Sequence, residues 1–454
     1  MKNFTVRDAV NATGGRYFGT EAQLEGVISS ASSDSRTVTE GTLFVAYPGA
    51  RVDGHDFMAD CLKKGAPVCF SQREPRDESE MPCIVVESTL AGVAKLAGWY
   101  RRQFDIPVVG ITGSVGKTTA KEMIWAVLNQ KYRTHKNRMN FNNEISLPLM
   151  ILEMPEDAQS AILEMGINQF DEMRRLAAMV QPDTMVFTNI GDAHLETLGD
   201  RAGVLRAKTE VFETMPENGL AILNGDDEHL RAYKAPVKTI TFGMGGHNDF
   251  HAKDVENLAD EGLRLTICHH GAEFTAHVPA FGMHMVYAAL MGAAVGWSLG
   301  LTDAQIAAGI AAYETVGNRA KLIAANGFTI LSDCYNANPN STASALDSLC
   351  TLKGRRVAIL GDMLELGPDT LKLHAATGEK AVKAGCDLVV ACGELSRATY
   401  EGAKNAGGNA LHFEDKAQLI EALAAFVQKG DVVLVKASHS KAFEHVVEAL
   451  ENCK

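Results

Sequence analysis

At 454 residues, 46% hydrophobic and 22% charged, the chain has the composition of a folded globular protein and is too long for one ordinary core, so about three domains are expected. With 43 basic against 56 acidic side chains the formal net charge is -13, which disfavours nonspecific binding to nucleic acid or to an anionic membrane. Nine scattered cysteines without a Cys-x-x-Cys pair, no signal-peptide core in residues 1–8, and a longest apolar run (286–301) too short to span a bilayer point to a cytoplasmic protein without membrane insertion.

Residues 1–104 read as a first α/β domain, with short apolar strands at 42–46 and 83–86 separated by helical stretches such as 56–64. Two polar knots lie in it. Ser32-Ser33-Asp34-Ser35-Arg36 gathers hydroxyls, a carboxylate and a guanidinium, and Asp53-Gly54-His55-Asp56-Phe57 opens a helix; each reads equally as a solvated turn. Pro107 then interrupts the chain. Beyond it the apolar run 108–112 enters the turn Gly113-Ser114-Val115-Gly116, and Lys117-Thr118-Thr119 opens a segment with helical spacing. Strand, glycine turn, helix is the setting of a phosphate-binding loop, in which backbone N–H groups and a helix N-terminus face polyphosphate. Lys117 is placed to reach the terminal phosphates and the Thr118 hydroxyl to meet Mg²⁺. The loop is short: Ile111 stands where the common form has its first glycine.

From here strands (108–112, 160–164, 184–188, 220–224) alternate with helices (117–130, 170–180, 203–215), which argues a parallel sheet covered on both faces. A β-rich patch (239–242, 262–268, 273–279) and helices near 283–300 and 303–313 follow. A third alternation has strands at 328–331, 356–360, 387–391 and 432–436 and helices near 341–351, 369–384, 415–428 and 441–451, the pattern of a smaller Rossmann-like domain. The expected division is 1–104, 105–315 and 316–454.

Ligands of open α/β sheets bind beyond the carboxyl ends of the strands, so polar residues there are informative. Glu164 ends one strand, and Thr188-Asn189-Ile190-Gly191-Asp192-Ala193-His194 follows another. Glu164 with Thr118 suffices for one Mg²⁺, which keeps phosphates and water as its other ligands, and His194 is placed to complete a shell. Lys208 has the default reading of an exposed helix lysine, and Asn140-Phe141-Asn142-Asn143-Glu144 is an amide cluster or a polar turn. Asp333 at a strand end suits a ribose hydroxyl. Gly361-Asp362-Met363-Leu364-Glu365-Leu366-Gly367 and Lys436-Ala437-Ser438-His439 end two further strands, which suggests a polar surface facing the nucleotide domain.

Together these motifs resemble the Mur ligases of bacterial cell-wall synthesis, over all three domains. The shortened loop 112–119 is typical of that family and of folylpolyglutamate synthase. Asp333-Cys334-Tyr335-Asn336-Ala337-Asn338-Pro339, residues 361–367 with His374, and the two knots of the first domain are most similar to the member that joins D-alanyl-D-alanine to UDP-N-acetylmuramoyl-tripeptide. The resemblance implies ATP-dependent, ADP-forming amide synthesis through an acyl phosphate by a monomer. It implies ATP contacts from Gly113 to Thr119 and from Arg319, Asp333, Tyr335, Asn336 and Asn338. Thr118 and Glu164 would hold a first Mg²⁺, and His194 with a carbamylated Lys208 a second. Asn142 and Asn143 would lie near the phosphate in transit, and Ser33, Asp34, Ser35, Arg36, Asp53, Gly54 and His55 at the uridine-diphosphate substrate. Two departures stand out: after His284 the chain reads Met285-Val286-Tyr287-Ala288 where relatives have Asn-Val-x-Asn, and His439 stands where they have arginine. A dipeptide preference shifted to D-Ala-D-lactate or D-Ala-D-Ser, or a non-catalytic nucleotide switch, are the alternatives.

Overall fold

The computed structural model describes residues 2–49, 52–258, 261–316 and 321–453. Its centre is a nine-stranded sheet in the spatial order Ala272–Val278, Leu263–His269, Phe250–Asn257, Lys238–Gly243, Leu220–Asn224, Thr184–Phe187, Val108–Thr112, Ser160–Glu164, Thr134–Lys136. The strands from Phe250–Asn257 to Thr134–Lys136 pair in parallel, and the other two close the sheet as an antiparallel edge. The chain runs from Val108–Thr112 out to Thr134–Lys136, returns to Ser160–Glu164, and then crosses to Thr184–Phe187. The direction of strand order therefore reverses beside Val108–Thr112, where doubly wound sheets open a crevice.

The alternation of side chains along that strand explains its depth. Val109 and Ile111 join one apolar cluster with Met123, Ile124 and Val127 of the helix Lys117–Leu128 and with Leu290 and Ala294 of the helix His284–Ser298. Val108 faces the opposite cluster with Leu149, Leu176 and Val204. Both faces are thus covered, and the strand reads as an unbroken apolar run because neither face meets water.

The first domain carries a five-stranded sheet, Arg16–Phe18, Cys83–Val85, Cys69–Ser71, Thr42–Val45, Ser30–Ser32, parallel except for its first strand. The helix Thr89–Arg101 lies under it, and Val93, Leu96 and Tyr100 are buried in a core that continues into the helices Leu147–Leu152 and Glu172–Val180 of the centre. Tyr100 sits at the junction, 1% exposed; its hydroxyl donates to the Met154 carbonyl at 2.6 Å and accepts from the Lys2 backbone N–H at 2.6 Å. The third domain is a six-stranded sheet, Lys321–Ala325, Phe328–Ser332, Asp431–Lys436, Arg355–Gly361, Leu388–Cys392, Ala410–Phe413, parallel except for its first strand, with apolar clusters on both faces.

The expected strands 108–112, 160–164 and 220–224 are found to the residue. The strand Phe250–Asn257 was not expected: only Phe250 and Ala252 are fully buried along it, and a bulge between Lys253 and Glu256 breaks its alternation. Among the described residues no helix is long and apolar enough to cross a membrane. Tyr100→Phe is expected to leave the Met154 carbonyl and the Lys2 N–H unpaired, costing about 1–3 kcal/mol; a urea midpoint equal to that of the unaltered protein would refute this role.

Candidate active site

The glycine turn is shaped before any ligand arrives. Gly113 has φ 146°, and a Cβ there would lie 1.9 Å from Thr188 Oγ1, so the close approach of the two strand ends requires glycine. Gly116 takes the left-handed conformation, φ 82°, just ahead of the helix Lys117–Leu128, with open space where its side chain would be. Between them the neighbouring strand end grips the loop. Asn189 accepts from Val115 N through Oδ1 at 3.0 Å and donates to the Val115 carbonyl through Nδ2 at 3.0 Å, while Thr188 Oγ1 donates to the same carbonyl at 2.6 Å. Ser114 N donates to the Asn189 carbonyl at 3.0 Å, and Ser114 Oγ accepts from Gly191 N at 2.9 Å. Lys117 curls back so that Nζ donates to the Gly113 carbonyl at 2.7 Å. Beneath the loop the Thr112 hydroxyl is buried without a partner among the described residues.

Glu164, at the end of the adjacent strand and 2% exposed, is held from two sides. Thr118 Oγ1 donates to its Oε2 at 2.7 Å and Asn142 Nδ2 to its Oε1 at 2.7 Å. The buried Asn137 pins the strand end, accepting from Glu164 N at 2.9 Å and donating to its carbonyl at 3.2 Å. Asn143 plays a different local part: its Oδ1 accepts from Ile145 N, Ser146 N and Ser146 Oγ and closes the turn.

His194 and Lys208 come to the same edge. His194 lies at φ 54°, and its Nδ1 is 2.8 Å from Oε2 of Glu365, delivered by the third domain. Burial, then the Lys117 and Lys208 ammonium groups, push its pKa down to about 4 against the opposing pull of Glu365. Lys208 is 1% exposed, not the surface lysine of the default reading. Burial, reinforced by Lys117, holds its pKa well below the usual lysine range, and no carboxylate faces it among the described residues. Burial so complete disfavours the ammonium form relative to the neutral amine.

These groups border a cleft of about 1060 Å³ that continues to the third domain. There Lys436, 2% exposed, donates to Asp333 Oδ2 at 2.5 Å and to the Asn336 carbonyl at 2.9 Å, fixing the 333–336 turn. Asn338 caps the helix Pro339–Thr351 by accepting from Ser341 N, and Tyr335 packs its ring 5.4 Å from that of His439. Tyr287 and Ala288 line the cleft, the Tyr287 hydroxyl donating to Asp226 at 3.0 Å. Thr119 also lines the cleft; Arg319 lies outside the described residues.

Apart from Leu90, the first domain does not line this cleft. Its candidates sit at the carboxyl edge of their own sheet, in two separate pairs. Arg36 forks onto Asp34 (Nε to Oδ1 2.9 Å, NH2 to Oδ2 2.7 Å) and holds its pKa down to about 2; Ser33 is exposed and Ser35 half-buried beside them. His55 Nε2 accepts from Gln72 N at 3.0 Å, which leaves Nδ1 to donate to Asp53 Oδ1 at 2.5 Å. Gly54 is required by the close passage of Tyr47, whose carbonyl oxygen would lie 2.8 Å from a Cβ; the Tyr47 hydroxyl reaches the Ile145 carbonyl of the central domain at 3.1 Å.

Sequence reasoning passed over Asn189, Asn137, Lys121, Lys436 and Glu365 as working residues. Asn189, Lys436 and Glu365 stand in strand-end stretches already singled out, so position was the available signal; for Asn137 and Lys121 there was none beyond proximity to the loop.

The group expected at this edge can be tested against its residues. The donors are oxygen-rich, and among the described residues no three His, Cys, Asp or Glu converge on one point. That sparse set suits Mg²⁺, which draws most ligands from phosphate and water, and does not suit zinc.

Comparison with known proteins agrees with the geometry. Residues 27–98 match the model of the Mur ligase family catalytic domain, 111–296 that of the Mur ligase middle domain, and 318–439 that of the Mur ligase glutamate ligase domain. The UDP-N-acetylmuramoyl-tripeptide--D-alanyl-D-alanine ligase of Bacillus subtilis is 36% identical, with 93% of each chain covered; that of Escherichia coli is 34% identical, with 99% of each covered. A crystal structure of MurF from Acinetobacter baumannii superposes with TM-score 0.92 at 28% identity over 100% of this chain and 99% of that one. MurF from Thermotoga maritima in complex with ADP gives TM-score 0.83 at 30% identity, covering 93% and 97%. With a shortened phosphate loop, a carboxylate at the neighbouring strand end and relatives matching along their whole length, the chain belongs to the Mur ligase family of ATP-dependent, ADP-forming peptide ligases.

Proposed function

We propose that the chain joins D-alanyl-D-alanine to UDP-N-acetylmuramoyl-tripeptide through an acyl phosphate, yielding the pentapeptide precursor of peptidoglycan in the cytoplasm. The observation that carries this reading is the meeting of the phosphate loop, Glu164, the half-buried Lys117 and His194 and the buried Lys208 at one sheet edge, together with relatives of that name. Residues 1–104 serve the UDP-substrate, 105–315 the triphosphate, and 316–454 close over it. The working form is a monomer.

In the first step a carboxylate oxygen of the tripeptide attacks the γ-phosphorus of ATP, the bond to the bridging oxygen breaks, and ADP leaves. Two anions must approach in line, and Lys117 with the loop N–H groups offsets their repulsion. In the second step the dipeptide amine attacks the acyl carbon, the C–O bond to phosphate breaks, and the amine loses a proton. Asn142 fixes the Glu164 carboxylate, and Asn143 holds the turn along which the tripeptide end lies. Asp333, Tyr335, Asn336 and Asn338 take the nucleoside end, a role the family resemblance extends to Arg319. Ser33, Asp34, Ser35, Arg36, Asp53, Gly54 and His55 take the uridine diphosphate.

Mg²⁺ at Thr118 and Glu164, and a second at His194 and carbamylated Lys208, would supply positive charge to the phosphate oxygens. Carbamylation needs a neutral amine, the form that burial favours at Lys208; its nitrogen would add to the carbon of CO2 and release one proton to water, which replaces the amine with an anionic oxygen donor.

Two outcomes are expected. Phosphate release should require ATP, Mg²⁺, the UDP-tripeptide and D-Ala-D-Ala together; release that ignores the dipeptide would sink the assignment. Lys208→Ala should lower kcat by about a hundredfold or more and recover in part with short carboxylic acids, which return an anionic oxygen to the cavity; little loss, or no recovery, would argue against the carbamate.

A further inference from the structure

Lys121 is a buried cation for which the proposed chemistry has no use. It follows Lys117 by one helical turn, is 0% exposed, and spends two donors on backbone carbonyls, Asn137 at 2.8 Å and Met139 at 2.9 Å. Its Nζ also lies 3.7 Å from Glu164 Oε2 and 3.5 Å from Glu122 Oε1. Glu122 in turn takes a short ion pair from Lys136, whose ammonium rests 3.5 Å above the Trp125 ring. Two ammonium groups and two carboxylates, all buried but the partly exposed Lys136, thus make a charge-balanced cluster that includes the proposed metal ligand Glu164.

We propose that Lys121 is a positioning residue that holds the 137–143 turn against Glu164 and, by its charge, competes with the divalent cation for that carboxylate. The inference rests on the reading of Glu164 as a metal ligand. Its two carbonyl contacts anchor the segment that carries Asn142, the donor to Glu164 Oε1. Its charge balances Glu164 while no metal is bound. A divalent ion arriving alone meets a carboxylate already compensated, whereas one arriving with polyphosphate brings its own counter-charge. Lys121 therefore makes metal binding depend on the nucleotide.

The test is Mn²⁺ binding to the full-length protein, followed by the electron paramagnetic resonance signal of the free ion, with and without ADP. Lys121→Met should bind Mn²⁺ in the absence of nucleotide at least about threefold more tightly than the unaltered protein, a direction opposite to that of mere structural damage. Glu122→Gln, which leaves Lys121 one carboxylate fewer to share, should weaken Mn²⁺ by about twofold. Unchanged or weaker binding in a folded Lys121→Met overturns the proposal. If that variant does not fold, unchanged or tighter binding in Glu122→Gln overturns it. Glu164→Gln separates the two levels: Mn²⁺ bound as in the unaltered protein would remove the metal-site reading itself, while loss of Mn²⁺ there with no response at 121 or 122 would remove only the role of Lys121.

Discussion

The structure turns on the grip of Asn189 on Val115. One side chain accepts from the N–H and donates to the C=O of the same residue, as a neighbouring strand would, and so extends the pairing of two sheet strands past their ends into the glycine turn. Thr188 reinforces it, and the contact distance between Thr188 and Gly113 leaves no room for a side chain. The shape of the loop is consequently set by the sheet rather than by a ligand, which lowers the reorganisation needed when phosphate charge develops. The crevice itself is a consequence of strand order, since the reversal beside Val108–Thr112 parts the connections on either side of it.

Charge is arranged around this loop in two opposed groups. On one side Lys117, Lys208 and His194 lie close together, and burial with the neighbouring positive charge drives His194 and Lys208 toward their neutral forms. On the other, Glu164 is balanced by Lys121 and braced by Thr118 and Asn142. A net charge of -13 says nothing of this, because the functional charges are a few buried groups and the excess acid is spread over the surface. The third domain meets the centre through apolar and polar contacts, with Phe281 in one cluster with Leu331, Leu346 and Leu349. Glu365 meets His194, Asn340 lies against Gly191, and Gly367 passes Glu196.

Much of the architecture was legible because buried parallel strands are continuous apolar runs with polar residues at their ends. Strands 108–112, 160–164 and 220–224 follow that rule. Phe250–Asn257 does not: it carries Lys253, Asp254 and Glu256 and is held in the sheet by pairing with the neighbouring segments Lys238–Gly243 and Leu263–His269, so its identity depends on that pairing and not on an apolar pattern. At the site, motif and position disclosed Lys117, Thr118 and Glu164. The burial of Lys208 was available in principle. Val204, Ala207, Lys208 and Val211 recur at helical spacing and all are buried, so the lysine stands on the apolar face. The roles of Asn189, Asn137 and Lys121 were not legible, because each acts through a backbone group brought near by folding.

The central claim is that phosphate held by this loop passes to a carboxylate and not to water. It is tested most directly by supplying the UDP-linked peptide with oxygen-18 in its terminal carboxylate and reading the isotope shift of the released phosphate by phosphorus NMR. Attack by the carboxylate predicts that a single labelled oxygen appears in each phosphate formed with product. Phosphate released with product but without the label would contradict the account.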